Sequence, residues 1–124
     1  MPRSISISDA EWDVMRVLWD APGPITAGDV VDALRQNPRT TKTYLNRLLK
    51  KGAVAFEARG KVYWYSPNVT RDECVRTETR SFLARVFGGD PAALLVHFVR
   101  DAKLSPADLE HLRKLLKQKE KDGR

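Results

Sequence analysis

Apolar residues recur at helical spacing from the beginning of the chain: Trp12, Met15, Leu18 and Trp19, with Val14 on the same side, predict a first helix. Ser8, with Glu11 three residues later, forms the S-x-x-E pattern of a capping box before it. "APGP" at 21–24 ends it, because proline lacks an N–H and its ring clashes with the preceding turn. Thr26 is the next N-cap, and "AGDVVDALRQ" predicts a short helix that buries Val30, Val31 and Leu34. Asn37 and Pro38 are a cap and a first-turn proline, so a third helix starts there and runs to Gly52. Beyond Gly52 the texture changes to short β-favouring runs: "AVAFE" and "KVYWYS" flank "ARGK", a hairpin signal, and Pro67 stops the second strand. Three helices followed by a hairpin is the order of a winged helix-turn-helix, with the hairpin as the wing.

The last third is helical again. Thr70 and Glu73 form another capping box, and a helix carrying Val75, Phe82, Leu83, Val86 and Phe87 runs to "GG" at 88–89. Asp90 and Pro91 open a fifth helix, "PAALLVHFVRDA"; Ser105, Pro106 and Asp108 open a sixth with a stripe of Leu109, Leu112, Leu115 and Leu116. The tail "KQKEKDGR" is expected to fray. The expected fold is therefore mainly α with a small β-hairpin wing. It comprises a winged helix-turn-helix over residues 1–68 and a three-helix dimerisation region over 69–124.

Burial motivates the dimer. A segment of about 55 residues makes a poor core of its own, and the fifth helix is apolar almost all round, so it needs cover on more than one side. A second copy of the chain supplies that cover through Phe82, Leu83, Val86, Phe87, Leu94, Leu95, Phe98, Leu112 and Leu116. The alternative is that these helices fold back onto the N-terminal domain.

The net charge of +6 changes the picture once it is located. Between Arg39 and Lys61 lie seven basic residues and a single acid, Glu57, and the rest of the chain is balanced. All the excess charge thus sits in about a fifth of the sequence, the footprint expected of a polyanion-binding segment. At about 100° per residue from Arg39, the side chains of Thr41, Tyr44, Leu45, Leu48 and Leu49 fall on one face of the third helix. Arg39, Lys42, Thr43, Asn46, Arg47 and Lys50 fall on the opposite face, which carries no acid.

Those residue types suit DNA. Lys and Arg neutralise phosphates or donate to guanine O6 and N7, Asn makes a two-point contact to adenine, and Thr offers a hydroxyl and a methyl. The helix start, near Arg39 and Thr40, has N–H groups that suit a phosphate. Arg59 and Lys61 at the hairpin tip add a second basic point for backbone or minor groove. The competing reading from another class is a winged-helix interaction module whose basic face binds an acidic protein, for which charge alone suffices.

Composition excludes more than it assigns. The chain has 124 residues, 42% of them apolar and 31% charged, which fits one globular domain or two small ones. No apolar run approaches the length that crosses a bilayer, and the N-terminus lacks the apolar core of a signal peptide, so a cytosolic location is expected. One cysteine, Cys74, allows no internal disulfide and reads as a small helix-face hydrophobe. His97, His111 and Cys74 match no compact metal site, and no catalytic triad, phosphate loop or HExxH is present. Neither a cofactor nor an enzymatic activity is expected.

The blocks "ISDAEWDVMRVLW", "TKTYLNRLLKKG", "KVYWYSP", "TETRSFLARVFGGDPAALLVHFV" and "LSPADLEHLRKLL" occur in the order found in winged-helix repressors of the BlaI/MecI type. The resemblance covers about residues 5 to 117. That family controls penicillinase and methicillin-resistance genes and also has copper-responsive members, whose terminal Cys pairs this chain lacks. The resemblance implies a dimer on an inverted-repeat operator, with Arg39, Thr40, Lys42, Thr43, Asn46 and Arg47 on the recognition helix. It also implies relief of repression by a membrane sensor-transducer, through proteolysis at an Asn-Phe pair in the dimerisation domain. The matching pair here is His97-Phe98, with histidine in place of the amide.

Overall fold

A computed structural model describes residues 5–123. The elements are α1 (Asp9–Asp20), β1 (Ile25–Thr26), α2 (Ala27–Leu34), α3 (Pro38–Lys51), β2 (Val54–Arg59), β3 (Val62–Pro67), α4 (Arg71–Phe87), α5 (Pro91–Asp101) and α6 (Pro106–Lys121). The mainly helical chain with a small sheet is the fold class that the pattern of apolar positions predicts. Among the described residues no single helix is long and apolar enough to cross a membrane.

Each helix starts on a side chain that satisfies its otherwise unpaired N–H groups. Ser8 and Glu11 exchange hydrogen bonds at α1, the Glu11 N–H donating to Ser8 Oγ at 3.2 Å and the Ser8 N–H to Glu11 Oε1 at 3.0 Å. Thr26 and Asp29 do the same at α2. Arg35, at φ 50°, closes α2 in the left-handed region, a conformation in which most side chains are strained. Gly52, at φ 79°, closes α3 without that strain.

The sheet has three antiparallel strands in the order β1-β3-β2. Strand β1 went unpredicted: it is two residues long, directly after "APGP", and exists only through pairing of Ile25 with Tyr65 and Thr26 with Trp64. The hairpin is tighter than the expected "ARGK" connection. Strand pairing persists to Arg59 and Val62, so the turn is Gly60 and Lys61 alone, with Gly60 at φ +64°.

The chain divides into two compact units, Met1–Phe82 and Leu83–Arg124. In the first, Val14, Met15, Leu18, Val30, Leu45, Leu48 and Tyr65 form the core. Val69 and Cys74, from the approach to α4 and its first turn, are buried in that same core, so a boundary at residue 68 separates them from residues they pack with. Burial pushes the Cys74 thiol above its ordinary range, with the Glu73 carboxylate adding to the shift, in keeping with a packing role. In the second unit no residue of α5 or α6 is buried. Helix α6 continues to Lys121, well into the tail expected to fray, because Lys, Gln and Glu are good helix formers.

Glu11 is the charged group at the heart of the first unit, only 1% exposed. Its Oε1 pairs with the Lys51 ammonium from the far end of α3 while still capping α1. Burial disfavours the carboxylate, but the bonds from Lys51 and Ser8 and the charge of Lys51 outweigh it and hold its pKa below the ordinary 4.5. A lowered pKa means that this stabilisation is complete above the unfolded value and is lost as pH falls through the folded one. Glu11→Gln is expected to lower stability at pH 7 by about 1–3 kcal/mol. The gap from wild type should close as denaturant midpoints are measured from pH 6 down to pH 3; a gap unchanged across that range would exclude the ion pair as its cause.

Candidate nucleic-acid interface

The two faces expected of α3 are separated in the structure. Thr41, Leu45 and Leu48 are buried, with Tyr44 and Leu49 half-buried beside them. Arg39, Lys42, Thr43, Asn46, Arg47 and Lys50 are exposed, while Thr40 is half-buried at the edge. Among the described residues no salt bridge engages Arg39, Lys42, Arg47 or Lys50, so their charge is directed at solvent.

Several contacts fix how this face is presented. The Asn37 Oδ1 caps the helix by accepting from the N–H groups of Arg39 at 2.8 Å and Thr40 at 3.3 Å. The buried Thr41 Oγ1 donates to Gln36 Oε1 at 2.8 Å, tying the helix to the turn before it. At the other end Lys51 is held by Glu11. The Thr43 hydroxyl donates back to the Arg39 carbonyl at 3.0 Å while the residue stays exposed. The Arg47 guanidinium lies 5.7 Å from the centre of the Tyr44 ring, which limits its sweep.

The seven cations that locate the net charge therefore do different things. Lys51 is committed to the fold. Arg59 on the wing lies over the Trp64 ring at 4.7 Å and 3.5 Å from Glu57, so it is steered along the sheet while staying exposed. Lys61 is exposed in the turn, and it shares an open groove with Lys42, Thr26, Tyr63 and Tyr65. The helix face and the wing tip, two separate signals in the sequence, thus border one concavity. Sequence reasoning passed over the aromatic pair beside it: Phe56 and Tyr63, both exposed, stack with centroids 4.5 Å apart. The strand alternation carried that signal, since pairing Ala58 with Tyr63 and Phe56 with Tyr65 puts them on one face of the hairpin.

On the second unit, Leu94 and Leu112 are half-buried, as are Leu83 and Phe87, whereas Val86, Leu95, Phe98 and Leu116 are exposed; Leu95 is 54% and Phe98 52% accessible. Phe82, at the end of the first unit, is half-buried. His97 and Phe98 lie within α5, with His97 Nε2 3.4 Å from Asp101. Among the described residues no three His, Cys, Asp or Glu side chains are grouped to hold a metal ion.

A sequence profile of the penicillinase repressor family matches residues 7–118. The chain belongs to that family. Membership agrees with the resemblance carried by the sequence blocks. The penicillinase repressor of Bacillus licheniformis is 31% identical over 122 residues, 95% of this chain and 94% of that one. The penicillinase repressor of Staphylococcus aureus is 29% identical over 92% and 93% of the two chains, and the methicillin resistance regulatory protein MecI of Staphylococcus aureus strain N315 27% identical over 94% and 98%. Among solved structures, the DNA-binding domain of the repressor BlaI aligns with a TM-score of 0.51 at 36% identity, over 59% of this chain and 93% of that one. The monomeric form of Bacillus licheniformis BlaI in complex with the blaP half-operator aligns with a TM-score of 0.50, also at 36% identity and with the same coverage.

The cap that sets the start of α3 can be tested within this family frame. Asn37→Ala removes the acceptor for two N–H groups and is expected to lower stability by about 1 kcal/mol, read as a shift in the urea midpoint at constant slope. No shift would mean that water replaces the cap at no cost.

Proposed function

We propose that this member of the penicillinase repressor family is a homodimeric, sequence-specific DNA-binding repressor. The single observation that carries the reading is the exposed, acid-free face of α3, on which Arg39, Lys42, Arg47 and Lys50 have no ion-pair partner among the described residues while Thr41, Leu45 and Leu48 anchor the opposite side. The helix enters the major groove; Thr43, Asn46 and Arg47 meet base edges; Lys50, Lys61 and Arg59 serve the phosphates or the adjacent minor groove. Arg39 and Thr40 place the start of α3 against the backbone. Bound there, the chain blocks transcription.

The partner on the protein side is a second copy. Val86, Leu95, Phe98 and Leu116 leave apolar side chains in water, and neither α5 nor α6 contains a buried residue. A two-fold dimer covers that surface and presents two α3 helices to an inverted repeat, with half-sites about one helical turn, roughly 34 Å, apart. The names of the relatives support β-lactam resistance genes as the regulated class. Release follows from cleavage by a protease of a sensor pathway at His97-Phe98. That peptide bond lies within α5, so the helix must open locally before the bond enters a protease.

Two outcomes are expected. On duplexes selected from random sequence by the wild-type chain, Asn46→Ala weakens discrimination between cognate and altered sites by about 1–3 kcal/mol. Lys50→Ala weakens all duplexes similarly and reduces the slope of log K against log salt by about 1. Discrimination untouched by Asn46→Ala would remove base reading and favour a partner recognised by charge alone. For the dimer, sedimentation equilibrium should give twice the chain mass for wild type and a single chain mass for Leu95→Asp; a wild-type monomer at high micromolar concentration would contradict it.

A further inference from the structure

Residues 68 to 74 run from the wing through the first turn of α4 and are fastened to α1 and α3 at once. The Asn68 backbone N–H donates to the Ala53 carbonyl at 2.8 Å, and Asn68 Nδ2 donates to the Gly52 carbonyl at 3.1 Å, so Asn68 grips the C-terminal cap of α3. One residue later the Val69 carbonyl accepts from Trp19 Nε1 at 3.0 Å, at the last turn of α1, while the Val69 side chain is buried in the core. The Arg71 guanidinium lies 5.3 Å from the centre of the Trp19 ring and 3.1 Å from Asp20. Thr70 and Glu73 cap α4 reciprocally, with N–H to oxygen distances of 3.0 and 3.1 Å, and Cys74 seats the first turn in the core. The segment has no slack along its length.

Such fastening exceeds what a surface connection needs. The exposed Arg71–Asp20 pair adds little by itself, because solvent screens it. The bond from Trp19 Nε1 and the double grip of Asn68 differ in kind. Asn68 attaches the chain just before α4 to the C-terminal cap of α3, the helix that carries the exposed cations, and Trp19 attaches it to the last turn of α1; the compact unit that contains both helices extends along α4 as far as Phe82.

We propose that Trp19 and Asn68 are positioning residues for operator recognition: Asn68 locks the start of α4 to the C-terminal end of α3 and Trp19 locks it to α1, against which α3 packs, so that the reading helix and the helix leading into the second unit move as one body. This rests on the dimeric reading above. Two linked reading helices gain from each other only if both reach their half-sites together, and a stiff connection raises the effective concentration of the second helix at the matching separation. A loosened junction leaves each α3 intact and able to read a half-site. What it loses is the advantage of the second contact and the preference for one spacing.

The test uses the full chain with three kinds of DNA: an inverted repeat selected by the wild type, a duplex carrying one arm of it, and repeats with the spacer changed by one base pair in either direction. Trp19→Phe removes the N–H while keeping a ring, and Asn68→Ala removes the side-chain bond to Gly52. Both variants are expected to bind the single arm within twofold of wild type and the intact repeat about tenfold more weakly, and to be penalised less than wild type by the altered spacers. Parallel losses on single arm and intact repeat with spacing preference kept would reduce the junction to a folding role and overturn the proposal, as would unchanged binding to every duplex. If the wild type itself selects no repeat, the dimeric repressor reading fails and this inference fails with it.

Discussion

The burial of one side of α3 is the constraint on which the remaining structure depends. Leu45 and Leu48 are fully buried in the core of the first unit, where α3 packs against α1, α2 and β2, and each contributes about 1.5–3 kcal/mol relative to exposure. That anchoring lets the opposite side concentrate positive charge, which opposes folding weakly in water but attracts a polyanion strongly. The polar contacts serve the same end: Asn37 and Thr41 fix the start of the helix, and the Glu11–Lys51 pair with Asn68 fixes its finish. Removing one partner of a buried, bonded charge is far more damaging than losing a surface pair such as Arg16–Asp13, so the ends of α3 are held by groups whose loss is felt.

Local signals made the helices legible. Ser8 with Glu11, Asn37 with Pro38 and Asp90 with Pro91 mark starts, and each is a cap in the structure. The two faces of α3 follow from helical periodicity alone. What escaped was made by contacts distant along the chain. Strand β1 is two residues whose pairing partners lie about forty positions away. Lys51 counts as one more cation in the sequence, and only the fold turns it toward Glu11. Trp19 reads as core, whereas its N–H is engaged by a carbonyl 50 residues on. The assignment of Val69 and Cys74 to the first unit likewise depends on packing that periodicity does not encode.

The second unit illustrates the complementary limit. Its helices are well capped and their apolar stripes plain in the sequence, yet α5 and α6 bury no residue within the chain. Val86, Leu95, Phe98 and Leu116 are exposed there, and large exposed apolar patches mark interaction faces in folded proteins. In the proposed dimer, such a face would couple two DNA contacts through one protein contact. Breaking that contact would reduce DNA affinity without touching the reading helix.

Selection of binding sites from a pool of random duplexes by the full-length chain tests the central claim most directly. Sequence reading by two α3 helices predicts enrichment of an inverted repeat whose half-site centres lie about one helical turn apart, near 34 Å. A pool retained in proportion to charge and length, with no sequence enriched, would contradict it.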